Sequence, residues 1–155
     1  MPTSNIYNYR KVDDLLITGG QPRAEQLRDA ASEGVKAVIN LAPYDKRYSI
    51  DDEPGLVASL GMAYVHIPVD WENPTEADFA AFERAMREHE ADKTLVHCAA
   101  NFRVTAFYSL YALKHLGWSE AQAENLRASI WRGSDFPIWR RFVAEQTKRI
   151  AAKKP

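Results

Sequence analysis

An alternating α/β fold, with a mostly parallel central sheet of four to five strands flanked by helices, is the architecture this sequence predicts. Three observations predict it. Short runs rich in Val, Ile and Leu recur at residues 35–41, 62–69 and 94–98, each of strand length and each opened by a turn former: Gly34, Gly61, and Asp92-Lys93. A helix-like segment precedes each run, which is the βαβ rhythm of a parallel sheet. After Cys98 the chain turns all-helical.

Taken in order, residues 5–18 read as one or two edge strands, with Gly19-Gly20 closing them. Pro22 followed by Ala24, Leu27 and Ala30-Ala31 opens a helix that Gly34 stops. Thr75 after Pro74 is a good N-cap for a helix carrying Phe79, Phe82 and Met86 on one face. Residues 103–116 hold Phe107, Tyr108, Leu110, Tyr111, Leu113 and Leu116, apolar on most sides, which predicts a buried helix. Ser119-Glu120-Ala121-Gln122 is a capping box for the next helix. A last helix starts at Asp135-Phe136-Pro137, with Ile138, Trp139, Phe142 and Ile150 as its core face.

The chain has 155 residues, 46% hydrophobic and 26% charged, which fits one domain over 1–155 with a basic tail from about residue 148. Twenty basic residues against twenty-one acidic ones leave a net charge of −1, against a chain built mainly to hold nucleic acid or an anionic membrane surface. The basic groups Arg140-Arg141, Lys148-Arg149 and Lys153-Lys154 are explained by a solvated helix face and tail. No apolar run approaches the roughly eighteen residues of a spanning helix, and residues 1–5 lack a charged-then-apolar leader. The one cysteine, Cys98, forms no intrachain disulfide, so a reducing, cytoplasmic setting is the simplest expectation. His66, His89 and His115 show no metal-ligand spacing, and Gly19-Gly20 makes no nucleotide-binding pattern.

Cys98 falls where the last predicted strand turns into a helix, and open α/β sheets bind ligands at the carboxyl ends of their strands. The residues between, Ala99, Ala100, Asn101 and Phe102, are mostly small, and Arg103 stands at the helix entrance. A tight turn of this kind directs backbone N–H groups inward. The helix N-terminus adds partial positive charge, favouring an anion over the loop and a thiolate on Cys98. Arg103 supplies a planar fork of donors suited to a tetrahedral oxyanion. By itself, a cysteine ending a buried strand is commonly a small hydrophobe, and His97 beside it a satisfied core histidine.

The run from Val96 through His97, Cys98 and Arg103 to Thr105 resembles the phosphate-binding signature of the cysteine-dependent protein tyrosine and dual-specificity phosphatases. A fuller match is to a group of small bacterial phosphatase-like proteins related to the phosphatase-like region of beta-lactamase-hydrolase-like proteins. Its marks are an Ile-Thr/Ser-Gly-Gln-Pro segment, here Ile17-Thr18-Gly19-Gly20-Gln21-Pro22, a Val-Ile-Asn-Leu strand, here Val38 to Leu41, and a Trp-x-x-Phe pair, here Trp139 and Phe142. The resemblance implies a cysteine-phosphatase-like fold and a phosphomonoesterase: Cys98 as nucleophile, loop amides 99–103 and Arg103 on the phosphate oxygens, and Asp70 as acid then base. It implies His97 orienting the loop and Thr105 hydrogen-bonding Cys98. A phosphorylated small molecule or phosphoprotein is the implied substrate, with no metal or organic cofactor.

Asp70 follows the strand before the Cys98 strand and lies twenty-eight residues ahead of it. Glu72 is the alternative acid; Asp78 fits a first-turn helix residue. Arg47 in the loop after Leu41 is a further candidate anion contact, and Arg132 lies in a segment that sequence alone does not place.

The loop departs from the phosphatase signature, with four residues between Cys98 and Arg103 rather than five: either Cys98 and Thr105 keep their register and Val104 stands in the arginine position, or Arg103 keeps its role in a loop one residue shorter. Asn101 replaces the mid-loop glycine and tolerates the left-handed backbone such a turn needs. A four-residue gap is also the spacing of the rhodanese sulfurtransferases, which keeps a Cys98 persulfide open. Val104 and the absent glycine keep open a non-catalytic phosphate-binding module.

Overall fold

In the computed structural model, residues 2–153 are described; Met1, and Lys154 and Pro155 of the expected basic tail, lie outside the described residues. Five strands form one sheet: β1 (Arg10–Asp13), β2 (Leu16–Gly19), β3 (Ala37–Asn40), β4 (Ala63–His66) and β5 (Thr94–His97). The six α-helices of the described residues are α1 (Ala24–Ser32), α2 (Glu53–Ser59), α3 (Glu76–Glu88), α4 (Phe102–His115), α5 (Glu120–Ala128) and α6 (Pro137–Lys153), with short 3-10 turns at Pro2–Asn5 and Gly133–Asp135.

The spatial order is β1-β2-β5-β3-β4, with β1 antiparallel and the other four parallel. β5 therefore runs down the middle, between β2 and β3, and all four of its residues are buried. The register aligns Gly19, His97, Asn40 and His66 as the last row before the loops begin. Four loops leave that common edge, including the one that follows Cys98.

Both faces of the sheet are covered, so the strands read as apolar runs instead of alternating with polar residues. Leu16, Ile39 and Val96 point into a large core with Phe79, Phe82, Phe107 and Trp139 from α3, α4 and α6. Their neighbours Ile17, Val38 and Leu95 point the other way, against Leu27 of α1 and Val57 of α2.

Four expectations need correction. β2 is an interior strand, because its residues pair with β5 and all are buried; β1 alone is the N-terminal edge. Gly19 belongs to β2 instead of closing it, and Gly20 bridges Ala100. Ile138 in the first turn of α6 is 43% exposed, and Leu116, beyond the end of α4, is 51% exposed, so neither joins the core face. The basic stretch from residue 148 to Lys153 forms the last turns of α6, with Ile150 buried beneath it.

Candidate active site

Cys98 is buried at the end of β5, and only Ala99, Ala100 and Asn101 separate it from α4. Every carbonyl of this short loop is taken by a donor outside the ring. The Cys98 carbonyl lies 3.2 Å from His97 Nδ1. The Ala99 carbonyl accepts from the Gln21 amide at 3.0 Å, and the Ala100 carbonyl accepts from Asn8 Nδ2 at 2.9 Å. The Asn101 carbonyl accepts from Thr105 Oγ1 at 2.8 Å and from the Thr105 amide at 3.1 Å.

In a trans peptide the C=O and N–H point opposite ways. Fixing four successive carbonyls outward therefore turns the amides of Ala99, Ala100, Asn101 and Phe102 toward the other side. The first-turn amides of α4 add to them, having no intrahelical acceptor. The result is a ring of donors at a helix N-terminus, an arrangement of the kind that favours negative charge.

Two features make so tight a ring possible. Asn101 adopts φ 69°, the left-handed conformation expected of it, and is fully buried. Its Nδ2 donates to the Asn8 carbonyl at 2.8 Å and to Thr18 Oγ1 at 3.1 Å. Asn8 and Asn101 thus brace each other across the loop. Gly20 lets the end of β2 lie directly against the ring; a Cβ there would meet the Ala99 carbonyl at 2.6 Å.

Arg103 is 8% exposed, and its Nε has no hydrogen-bond partner among the described residues. Its guanidinium lies over the Trp71 ring, 5.4 Å from the centroid. Val104 is fully buried in the core, whereas Arg103, five residues after Cys98, is the cation at the start of α4 beside the loop.

Trp71 is itself fixed. It stacks on Trp139 at 5.2 Å, and Trp139 Nε1 donates to the Trp71 carbonyl at 2.7 Å. Trp139, the first residue of the Trp-x-x-Phe pair, therefore anchors the loop that carries Asp70. The Asp70 carboxylate is exposed and accepts the Glu72 amide at 2.9 Å, which sets the turn. Glu72 is exposed in the same turn, while Asp78 pairs with Thr75 in the capping box of α3.

Thr105 does not form the expected hydrogen bond with Cys98. Its hydroxyl lies within donating distance of the Asn101 and Phe102 carbonyls and accepts from Trp131 Nε1 at 2.9 Å, so it is committed to holding the ring. Arg47 is exposed and clasped to Asp45 at 2.5 Å; its hydrogen bonds hold the Asp45 carboxyl down at about 2. Arg132 stands on the exposed rim of a groove of about 540 Å³ beside the loop, shared with Phe102, Trp131 and Phe136.

Several residues at the site carried no sequence signal of a role. Tyr48 lies close to Arg103, and burial pushes its hydroxyl up despite the opposing guanidinium charge. Glu53, the first residue of α2, is 5% exposed, with Oε2 2.6 Å from His97 Nε2. Asn8 and Gln21 hold the ring from the N-terminal segment; the Gln-Pro pair after Gly20 was the one available hint.

No family model matches the chain. It is 35% identical to a DUF442 phosphatase-like protein from Shewanella putrefaciens CN-32, whose crystal structure aligns with a TM-score of 0.83 over 93% of this chain and 91% of that one. It is 32% identical over 102 residues to the beta-lactamase hydrolase-like protein of Xylella fastidiosa. That match takes in 64% of this chain and 23% of the relative, so the chain spans about a quarter of the length of the curated relatives it matches. The crystal structure of P. aeruginosa TpbA in complex with phosphotyrosine shares the fold, with a TM-score of 0.69 at 16% identity over 97% of this chain and 93% of that one.

Proposed function

Because this chain belongs to the DUF442 family of phosphatase-like proteins, we propose that it hydrolyses phosphomonoesters through a cysteinyl-phosphate intermediate at Cys98. The observation that carries this reading is the ring of inward amides, with every carbonyl of the Cys98 loop tied outward and an underused, buried guanidinium beside it. Such a ring complements the equatorial oxygens of a phosphoryl group in its transition state.

In this reading the Cys98 thiolate attacks phosphorus, and the ester oxygen leaves with a proton from Asp70. The amides from Ala99 to Arg103 and the Arg103 fork hold the three oxygens as charge redistributes. The Asp70 carboxylate then takes a proton from water, whose oxygen attacks phosphorus. Inorganic phosphate departs and the Cys98 thiolate is restored. The substrate class is a phosphorylated small molecule or phosphoprotein, the latter supported by the phosphotyrosine held by TpbA. A single unpaired thiol suits the reducing cytoplasm.

Two variants test the assignment with aryl phosphates of graded leaving-group pKa. Cys98→Ser abolishes turnover. Asp70→Asn lowers kcat roughly a hundredfold or more for poor leaving groups and much less for good ones. Turnover by Cys98→Ser at the wild-type rate removes the nucleophile, and an equal loss across leaving groups removes Asp70 as the acid.

A second reading rests on the four-residue gap, which shortens the ring. A smaller ring suits a persulfide on Cys98: the thiolate would attack the outer sulfur of thiosulfate, and the sulfur–sulfur bond of thiosulfate would break with sulfite leaving.

A further inference from the structure

His97 and His115 each have a partner on both ring nitrogens, and those partners differ. His115 Nδ1 takes Arg87, which can only donate, at 3.3 Å, and its Nε2 faces Glu83 at 2.5 Å. One of its ring nitrogens thus faces a donor and the other an acceptor. His97 has oxygen acceptors on both nitrogens: the Cys98 carbonyl on Nδ1 and the Glu53 carboxylate on Nε2. His97 is fully buried and Glu53 nearly so, so water supplies no alternative partner.

Glu53 is built to stay ionised. Besides His97, its carboxylate accepts from Gln21 Nε2 at 2.8 Å and from the Tyr64 hydroxyl. Tyr64 is free to donate because its own oxygen accepts from Asn40 Nδ2 at 3.0 Å. Burial pushes the Glu53 carboxyl up, but the hydrogen bonds from His97, Gln21 and Tyr64 outweigh it and hold the group below its ordinary value.

We infer that Glu53 is a positioning residue for Cys98: it holds His97 as an imidazolium with both N–H groups donated. The buried positive charge then stands behind the loop, and the Cys98 carbonyl stays locked outward, so the Ala99 amide stays inward. Both effects favour the Cys98 thiolate. The inference rests on the reading of Cys98 as a reactive thiolate, yet it does not depend on which group the thiol accepts.

The remaining groups facing the pair are few. Gly19 of β2 and Asn40 of β3, which flank His97 in the sheet, do not titrate. Tyr64 of β4 faces Glu53, and Tyr48, from the loop before α2, lies near both Cys98 and Arg103 of α4. Burial raises both tyrosines, so they remain neutral where the thiol titrates.

The lone cysteine makes the test direct, since thiolate absorbance in the wild type minus Cys98→Ser reports Cys98 alone. Glu53→Gln raises the thiolate midpoint by about one pH unit, a tenfold loss of thiolate below it, and Glu53→Asp restores part of the shift. Nitrogen-15 NMR of wild-type His97 shows both ring nitrogens protonated from about pH 6 to pH 8. A folded Glu53→Gln protein that titrates like the wild type, or a wild-type His97 with one bare nitrogen at neutral pH, overturns the inference. Should Glu53→Gln fail to fold, the wild-type spectrum decides alone. A Glu53-dependent thiolate in a protein that turns over no aryl phosphate sustains the inference and removes the phosphatase reading.

Discussion

Asn101 carries the sharpest turn of the Cys98 loop, and two separate properties of asparagine are used there. Its backbone sits at φ 69°, where a Cβ residue other than Asn or Asp is strained by about 1 kcal/mol. Its side chain donates to Asn8 and Thr18, bonds worth about 1 kcal/mol each. Asn101→Gly loses only the bonds, while Asn101→Ala loses the bonds and adds the strain. Denaturant unfolding should rank the wild type above Asn101→Gly, and Asn101→Gly above Asn101→Ala by about 1 kcal/mol. An alanine variant as stable as the glycine variant contradicts the strained backbone. Cys98, Arg103 and the left-handed Asn101 were legible because residue type and spacing determine them locally. Asn8, Gln21, Tyr48 and Glu53 were not, because their roles come from contacts across as many as 93 positions of sequence. Glu53 reads locally as an acidic residue serving the first turn of α2, and only the fold sets it against His97.

At the scale of elements, the site depends on how α6 meets the loop after β4. Trp139 bonds the Trp71 carbonyl and stacks on its ring, and Trp71 in turn lies over Arg103. Trp139→Phe removes that hydrogen bond and part of the stack. It should cost roughly 2 kcal/mol in denaturant unfolding, and lower turnover more for poor leaving groups than for good ones, because the loop it loosens carries Asp70. A uniform loss across leaving groups separates the Trp139 anchor from the acid loop. The strands and capped helices were readable in advance, since apolar runs and capping boxes are local signals; Thr75 and Ser119 cap α3 and α5 as their sequences require. β2 was misread as an edge because four residues carry no mark of their neighbours, and only its pairing with β5 makes it interior. Ile138 shows the same limit, for helical spacing alone does not say where the core stripe of α6 begins.

For the whole molecule, two carboxylates, Glu53 buried and Glu83 partly buried, tie helices to the rest of the fold. Glu83 of α3 meets Lys114 and His115 of α4, and Glu53 of α2 meets His97 of β5. In each, burial pushes the carboxyl up, but the partners' hydrogen bonds win and hold it below its ordinary value near 4.5. A carboxyl depressed in the folded state contributes stability that is present above its unfolded value and lost as pH falls through the folded one. Stability should therefore fall on acidification below about pH 5, and Glu83→Gln should flatten part of that slope in urea titrations between about pH 3 and pH 7. An unchanged slope contradicts the Glu83 contribution. The sheet order matters more for function than any single pair, since it puts β5 at the centre with Cys98 at the shared loop edge. The central claim is that this buried thiol accepts a phosphoryl group. Rapid acid quench of the protein with an aryl phosphate, and separately with thiosulfate, followed by intact mass and peptide mapping, tests it most directly. The account predicts one phosphoryl group on Cys98 from the aryl phosphate and no adduct on Cys98→Ser; a sulfur adduct from thiosulfate with no phosphoryl adduct contradicts it.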